Sequence, residues 1–394
     1  MSISTDQSAA PAAIRVELDA IFVSLELSKS TWLITSLSPG AADKMSADKM
    51  SRHTVVGGDI AGLFVRIDEL RSKALARTGR LYRVVSIHEA GLDGFWLHRL
   101  LEREDWIESH IVDAASIAVS RKRRRAKTDR IDGETLIRTL LAHKRGEPRV
   151  CSMVRVPTPQ DEDRRRIGRE RKVLVDERTL HINRIKGLLF SQGIRGYEPG
   201  RRDRRERLEE LRTGDGRDLP RHIKAQLLRE LGRLELLIEQ IKAVEAERDA
   251  VLAQEKAALT EPATMLLGIK GIGPEFANVI YSECLSRHFD NRRQVASYAG
   301  LAASPWQSGS INREQGVSKA GNPRLRTTMV QLAWLWLRHQ PNSTLSRWFQ
   351  ERVKHNAGKR KATTIVALAR KLLVAFWKYV TLGVLIEGAA IKAA

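Results

Sequence analysis

Residues 20–36 read AIFVSLELSKSTWLITS. Two short runs rich in apolar and β-branched residues flank a three-residue polar link, SKS, at 28–30. The pattern predicts a strand over 20–27, a second over 31–36 and a short connection between them. Working outward, residues 53–56 suggest a third strand. Over 59–76, Ile60, Leu63, Phe64, Ile67 and Leu70 keep the spacing of one helical face. YRVVSI at 82–87 reads as a buried strand, 93–102 returns to helical spacing, and 109–112 reads as a last short strand. Strands alternate with helices up to about residue 112, and helices dominate the rest. The class expected is therefore α/β plus α.

Its 394 residues are 42% hydrophobic, enough for real cores, and suit two to four domains. No apolar run approaches the ~20 residues of a membrane span, and the polar, Ala-rich start does not read as a signal peptide. Two cysteines, Cys151 and Cys284, exclude a disulfide scaffold or a Cys-rich zinc module. A reducing, bacterial-type cytoplasm is the expected setting. The net charge is +21, unevenly distributed. Residues 1–120 carry a net −3, residues 121–260 a net +12 and residues 261–394 a net +12. The surplus starts abruptly at 121–130, RKRRRAKTDR. Basic residues arriving in runs favour a polyanion, above all nucleic acid, over a merely solvated surface. The expected division is a tail over 1–14, a catalytic domain over 15–150, a basic helical and coiled-coil region over 151–260, and a C-terminal domain over 261–394. In the third of these, Leu227, Leu231, Leu234, Ile238, Ile241 and Val244 fall near heptad spacing, suited to a partner helix or to packing within the chain.

Three groups of residues could carry chemistry. Glu26 ends the first strand, Glu89 follows the YRVVSI strand, and Asp129 and Asp132 stand three apart in KTDRID. Residues i and i+3 share a helix face. Four carboxylates so gathered would repel one another without a cation, and two Mg²⁺ ions could grip a phosphodiester there. Arg121, Lys122, Arg123, Arg124, Arg125 and Lys127, just ahead of Asp129, could hold a nucleic-acid backbone. The bland alternative is that Asp129 and Asp132 are merely helix N-terminal charges. LGIKGIGPEFA at 267–277 packs Gly268, Gly271 and Gly273 before Pro274. It reads as the turn of a helix-hairpin-helix, whose backbone N–H groups bind phosphate without reading bases, or as a glycine turn between core helices. Residues 300–326 combine Ser304, Ser308 and Ser310 with Arg313, Lys319, Arg324 and Arg326. They read as a basic polar loop able to meet phosphate.

These blocks resemble the DEDD (RuvC-like) transposases of bacterial insertion sequences, relatives of the Piv/MooV invertases and of the bridge-RNA-guided recombinases. SLELSKSTW, HEAGLDGFWLHRLL and RRRAKTDRIDGE are similar to the family's three acidic blocks, while YAGLAASPWQSG and VSKAGNPRLR are similar to its second domain. The likeness spans about residues 15–340. It implies an RNase H-like domain in which Glu26, Glu89, Asp129 and Asp132 hold Mg²⁺, Glu26 standing where the family usually has Asp. Asp19 is a rival for that position. It implies a serine nucleophile in a Ser-Gly context, which Ser308 fits best, with Ser310 and Ser304 as rivals. It further implies DNA strand exchange at element ends and target, a structured guide RNA, and a homo-oligomer, dimer or tetramer, with a composite site. A junction-resolving nuclease using water alone, or a non-catalytic nucleic-acid binder, are the competing readings.

Overall fold

The computed structural model describes residues 19–39, 50–91, 94–117, 129–147, 150–258, 262–308, 311–355 and 361–392. The chain forms two compact units, Met1–Pro157 and Thr158–Ala394.

The first unit is a five-stranded sheet of β1 (Ala20–Leu27), β2 (Thr31–Leu37), β3 (Ser51–Val56), β4 (Arg83–Glu89) and β5 (Ile107–Val112), in the order β3-β2-β1-β4-β5. β1, β2 and β3 form an antiparallel meander. The link at 28–30 is tight because Ser28 Oγ accepts from the Thr31 N–H (3.0 Å) and donates to the Thr31 carbonyl (2.6 Å). β4 lies parallel to β1 and β5 parallel to β4. Parallel neighbours need a crossover, and the helices α1 (Ile60–Thr78) and α2 (Gly94–Leu101) supply them. Asp59 starts α1 by accepting the Gly62 N–H at 2.8 Å.

Both faces of the sheet are covered. Ile21, Val23 and Leu25 share one core with Leu63 and Ile67 of α1 and Leu97 and Leu101 of α2. Phe22, Val85 and Ile87 share the other with Leu136, Ile137 and Leu140 of α3 (Asp129–Lys144). Central strands covered on both faces read as continuous apolar runs, which is why 20–25 shows no alternation.

In the second unit, α4 (Pro159–Phe190) and α6 (Arg221–Ala258) lie antiparallel, joined by a connection that includes the short α5 (Arg204–Glu209). Leu227, Leu231, Leu234, Leu237, Ile241 and Val244 are buried against Leu174, Ile185 and Leu189 of α4. The heptad seam therefore faces a helix of the same chain, the second of its two expected occupants. The remaining core gathers α7 (Pro262–Leu267), α8 (Pro274–Ile280), a π-helical turn (Tyr281–Leu285), α9 (Arg292–Tyr298), α10 (Pro323–His339), α11 (Thr344–His355) and α12 (Lys361–Leu382) around Leu332, Trp336, Leu372 and Phe376. Trp336 is wholly inside, stacked edge-on against Phe376.

One element departs from expectation. The stretch read as a polar loop contains an antiparallel hairpin, β6 (Ala303–Ser308) and β7 (Ile311–Val317). Neither ASPWQS nor INREQGV alternates apolar with polar. Backbone pairing forms this ribbon, which leaves no periodic signature in the sequence.

Candidate active site

Two of the four expected acids end adjacent parallel strands. The β1–β4 register runs as far as Leu25 with His88, so Glu26 and Glu89 each directly follow a paired position of neighbouring parallel strands. Glu89 is the last residue of β4 itself. Side chains alternate along a strand. Glu26 shares its face with Phe22 and Ser24, and Glu89 with Val85 and Ile87, so both point to the face that α3 covers.

Helix α3 crosses that face. Near its start, Ser24 Oγ donates to the Gly133 carbonyl at 2.9 Å, and Glu134 forms an ion pair with Arg52 of β3. Near its end, Lys144 Nζ donates to both oxygens of Glu108 at 2.8 and 2.9 Å, and the His143 ring lies 5.8 Å from that of His110. The approach is close because residue 133 is glycine: a Cβ there would lie 2.5 Å from Thr35 Oγ1. Asp132, half-buried, immediately precedes Gly133 in α3. Asp129 opens the helix, but its side chain lies outside the described residues. Among the described residues no three His, Cys, Asp or Glu side chains are gathered closely enough to hold a metal ion. The donor set, carboxylate oxygens only, is of the hard kind that suits Mg²⁺. Glu26 and Glu89 thus lie near the ends of neighbouring strands, and Asp132 lies at the start of the helix that packs on that sheet face.

In the second unit, Ser308 is the last residue of β6 and pairs with Ile311 across residues 309–310. The side chains of Ser304 and Ser308 and the whole of Ser310 lie outside the described residues, as does the basic run Arg121, Lys122, Arg123, Arg124, Arg125 and Lys127. The glycine turn joins α7 to α8. Gly271 has φ +89°, and a Cβ on it would lie 2.7 Å from the Cβ of His339. Gly273 caps α8 without a side-chain bond. Lys392 Nζ donates to the carbonyls of Leu267 (2.7 Å) and Ile272 (2.8 Å), and Gln340 Nε2 to that of Lys270 (2.8 Å). Lys319 is exposed, with φ +57°. Arg326 donates to the Lys319 carbonyl at 2.9 Å and braces that bend.

Arg324, expected at the nucleic acid, is placed elsewhere. Its side chain is only 16% exposed, its Nη1 lies 3.5 Å from Glu283, and its Nη2 donates to the Gly168 carbonyl of α4 at 2.6 Å. Burial lowers its affinity for the proton, and the charges of Glu283 and Glu275 oppose that. A guanidinium committed in this way joins helices instead of meeting phosphate.

Sequence reading missed the group that holds it. Glu283, on the π-helical turn, also accepts from Asn322 Nδ2 at 2.9 Å and is bridged by Arg169 at 3.3 Å. Asn322 Oδ1 in turn accepts the Leu325 N–H and starts α10. Burial pushes the Glu283 carboxyl up, but Arg169, Asn322 and Arg324 together hold it below the usual range. The available signal was one acid inside the apolar run ANVIYSECL.

With this geometry in hand, similarity to known proteins is informative. Residues 263–347, from α7 through the glycine turn and the whole of α10 into the start of α11, match the transposase family IS116/IS110/IS902. A Sinorhizobium fredii protein named "Putative transposase y4rJ" is 67% identical over 400 residues, covering the whole of both chains. A "Probable family 20 transposase" of Pseudomonas aeruginosa is 30% identical over 53% of this chain and 60% of its own length. The "Transposase for insertion sequence element IS1111A" of Coxiella burnetii is 29% identical over 57% of this chain and 60% of its own. An end-to-end relationship at 67% identity, together with the match over the glycine turn and the hairpin that follows it, places this chain in the IS116/IS110/IS902 family of transposases.

Proposed function

We propose that this transposase moves an insertion sequence by Mg²⁺-dependent DNA strand exchange, with Ser308 as nucleophile and a structured RNA as guide. The observation that carries the metal part is that Glu26 and Glu89 directly follow the last paired positions of neighbouring parallel strands, while the Gly133 carbonyl, next to Asp132 in α3, accepts from Ser24 of β1. Strand order β3-β2-β1-β4-β5, with an antiparallel meander followed by two parallel strands, supports an RNase H-like reading of the domain. The α7–turn–α8 unit supports the helix-hairpin-helix reading. Glu26, Glu89, Asp132 and Asp129 would hold the metal, closing up around it. When bound, Mg²⁺ would neutralise the phosphate and stabilise the attacking and leaving oxygens.

The position of Ser308 at the end of a two-stranded ribbon suits a nucleophile that must reach a DNA backbone. Its oxygen would attack phosphorus and lose its proton, a phosphoserine ester would form, and one strand end would leave as a hydroxyl. The ester conserves the bond energy, so rejoining to a new strand needs no ATP. The guide RNA rests on resemblance and on the basic surplus after residue 120.

A strand-transfer assay tests the scheme. Ser308→Ala and Asp132→Ala should each abolish product, and a protein–DNA adduct should be trapped with the parent chain but not with Ser308→Ala. Cutting that persists in Ser308→Ala with no adduct would favour a nuclease using water. Unchanged strand transfer after RNase treatment would remove the guide RNA.

A further inference from the structure

The two halves of the second unit handle charge differently. On the α4–α6 hairpin, basic groups mostly find acids: Arg171 with Glu245, Lys186 with Glu198, Arg204 and Arg205 with Glu235, Arg233 with Glu230. From 323 to 382 the chain has 12 Lys and Arg and a single acid, Glu351. Among the described residues, Arg338, Arg347, Lys361, Arg370, Lys371 and Lys378 form no ion pair with an acid. Crowding like charges on one compact body opposes folding by self-repulsion. The imbalance is therefore costly unless something negative covers it.

The arrangement narrows what that is. α12 buries Ile365, Leu368, Leu372, Leu373 and Phe376, which leaves Lys371 and Lys378 exposed on its far side with Arg370 half-buried at the flank. Lys371 Nζ stands 4.7 Å over the Trp348 ring of α11. Ten residues back, about 15 Å along the axis, Lys361 Nζ stands 5.5 Å over the Trp334 ring of α10. Trp334 is 43% exposed and lies one helical turn from Arg338 on the same exposed stripe. Arg338 of α10 and Lys361, Lys371 and Lys378 of α12 are exposed, and Arg370 is half-buried. Single-strand binders run the backbone along a groove, whereas an outward-facing set of cations suits the phosphates of a duplex. The stretch beyond residue 347 also lies past the family-matched block, which covers residues 263–347.

We propose that the outer face of α10–α12 is a docking surface for duplex DNA, gripping its phosphates without reading sequence, through two stations: Trp334, Arg338 and Lys361, and Trp348, Arg370, Lys371 and Lys378. The inference rests on the protein acting on DNA as a transposase, but not on Ser308 or the metal.

The test uses the full chain and a fluorescent 30-base-pair duplex of arbitrary sequence, with affinity followed against salt. Replacing Arg370, Lys371 and Lys378 together by Gln should make the log–log salt slope shallower by about 2.7, at about 0.9 per lost phosphate contact. Affinity at low salt should fall by about tenfold or more, with the thermal midpoint unchanged. If that variant unfolds, Arg338→Gln with Lys361→Gln tests the other station, with a slope change of about 1.8. An unchanged slope and affinity would overturn the proposal. So would intact duplex binding alongside lost binding of a single-stranded RNA probe. At saturating duplex the α12 variant should still form the protein–DNA adduct, so failure of the catalytic scheme, which removes the adduct from parent and variant alike, and failure of this surface read out separately.

Discussion

At the scale of single residues, Gly133 has more influence than its size suggests. It lets α3 approach β1 and β2 until Ser24 bonds its carbonyl, and a methyl group there would overlap Thr35 Oγ1. Gly133→Ala should push the start of α3 off the sheet, taking Asp132 with it. Overpacking of this kind costs about 1–3 kcal/mol. Urea unfolding should show that loss, and strand transfer should fall further than stability does. A variant as stable and active as the parent would mean that α3 is not held by this contact. The same scale shows what a sequence conveys poorly. KTDRID announces its acids through spacing, whereas the buried commitment of Arg324 depends on Gly168 and Glu283, 156 and 41 positions away.

At the scale of elements, α4 and α6 form the clearest unit. Leu231 and Leu234 are wholly buried in their seam, and Glu230, 3% exposed, is clasped by His181 at 2.5 Å, Arg184 at 3.3 Å and Arg233 at 2.7 Å. Leu234→Ala should cost about 2–5 kcal/mol. Val173→Ala, on the exposed side of α4, should stay within about 0.5 kcal/mol. Equal effects in chemical denaturation would show that the seam is not where stability resides. The long helices were legible before the structure through their burial period, and the central strands through short apolar, β-branched runs buried on both faces. The β6–β7 ribbon was not, since its strands carry no such period and are held by backbone bonds. Which partner the heptad seam would choose was also open in the sequence, because one apolar stripe fits a helix of the same chain or of another.

At the scale of the whole molecule, the +21 charge resolves into parts with different duties. Ion pairs between Arg and Glu knit α4 to its neighbours, while among the described residues six cations of the last three helices form no ion pair with an acid. The knitting has a pH signature. The Glu283 carboxyl is held below its ordinary value of 4.5 in the fold. Its contribution to stability is therefore full above about 4.5 and is lost as pH falls through the lower folded value. Unfolding midpoints followed from pH 7 to pH 3 should fall more steeply for the parent than for Glu283→Gln, which should also be less stable at pH 7 by about 3–5 kcal/mol. Parallel curves would assign the acid sensitivity to other groups. The strap across the glycine turn concerns timing. The Lys392 N–H and side chain bind carbonyls at 267, 268 and 272, so that turn waits, half-finished, until some 120 further residues have been synthesised. The order of synthesis thus places completion of the glycine turn after that of α8 through α12, although the turn itself precedes all five helices in the chain.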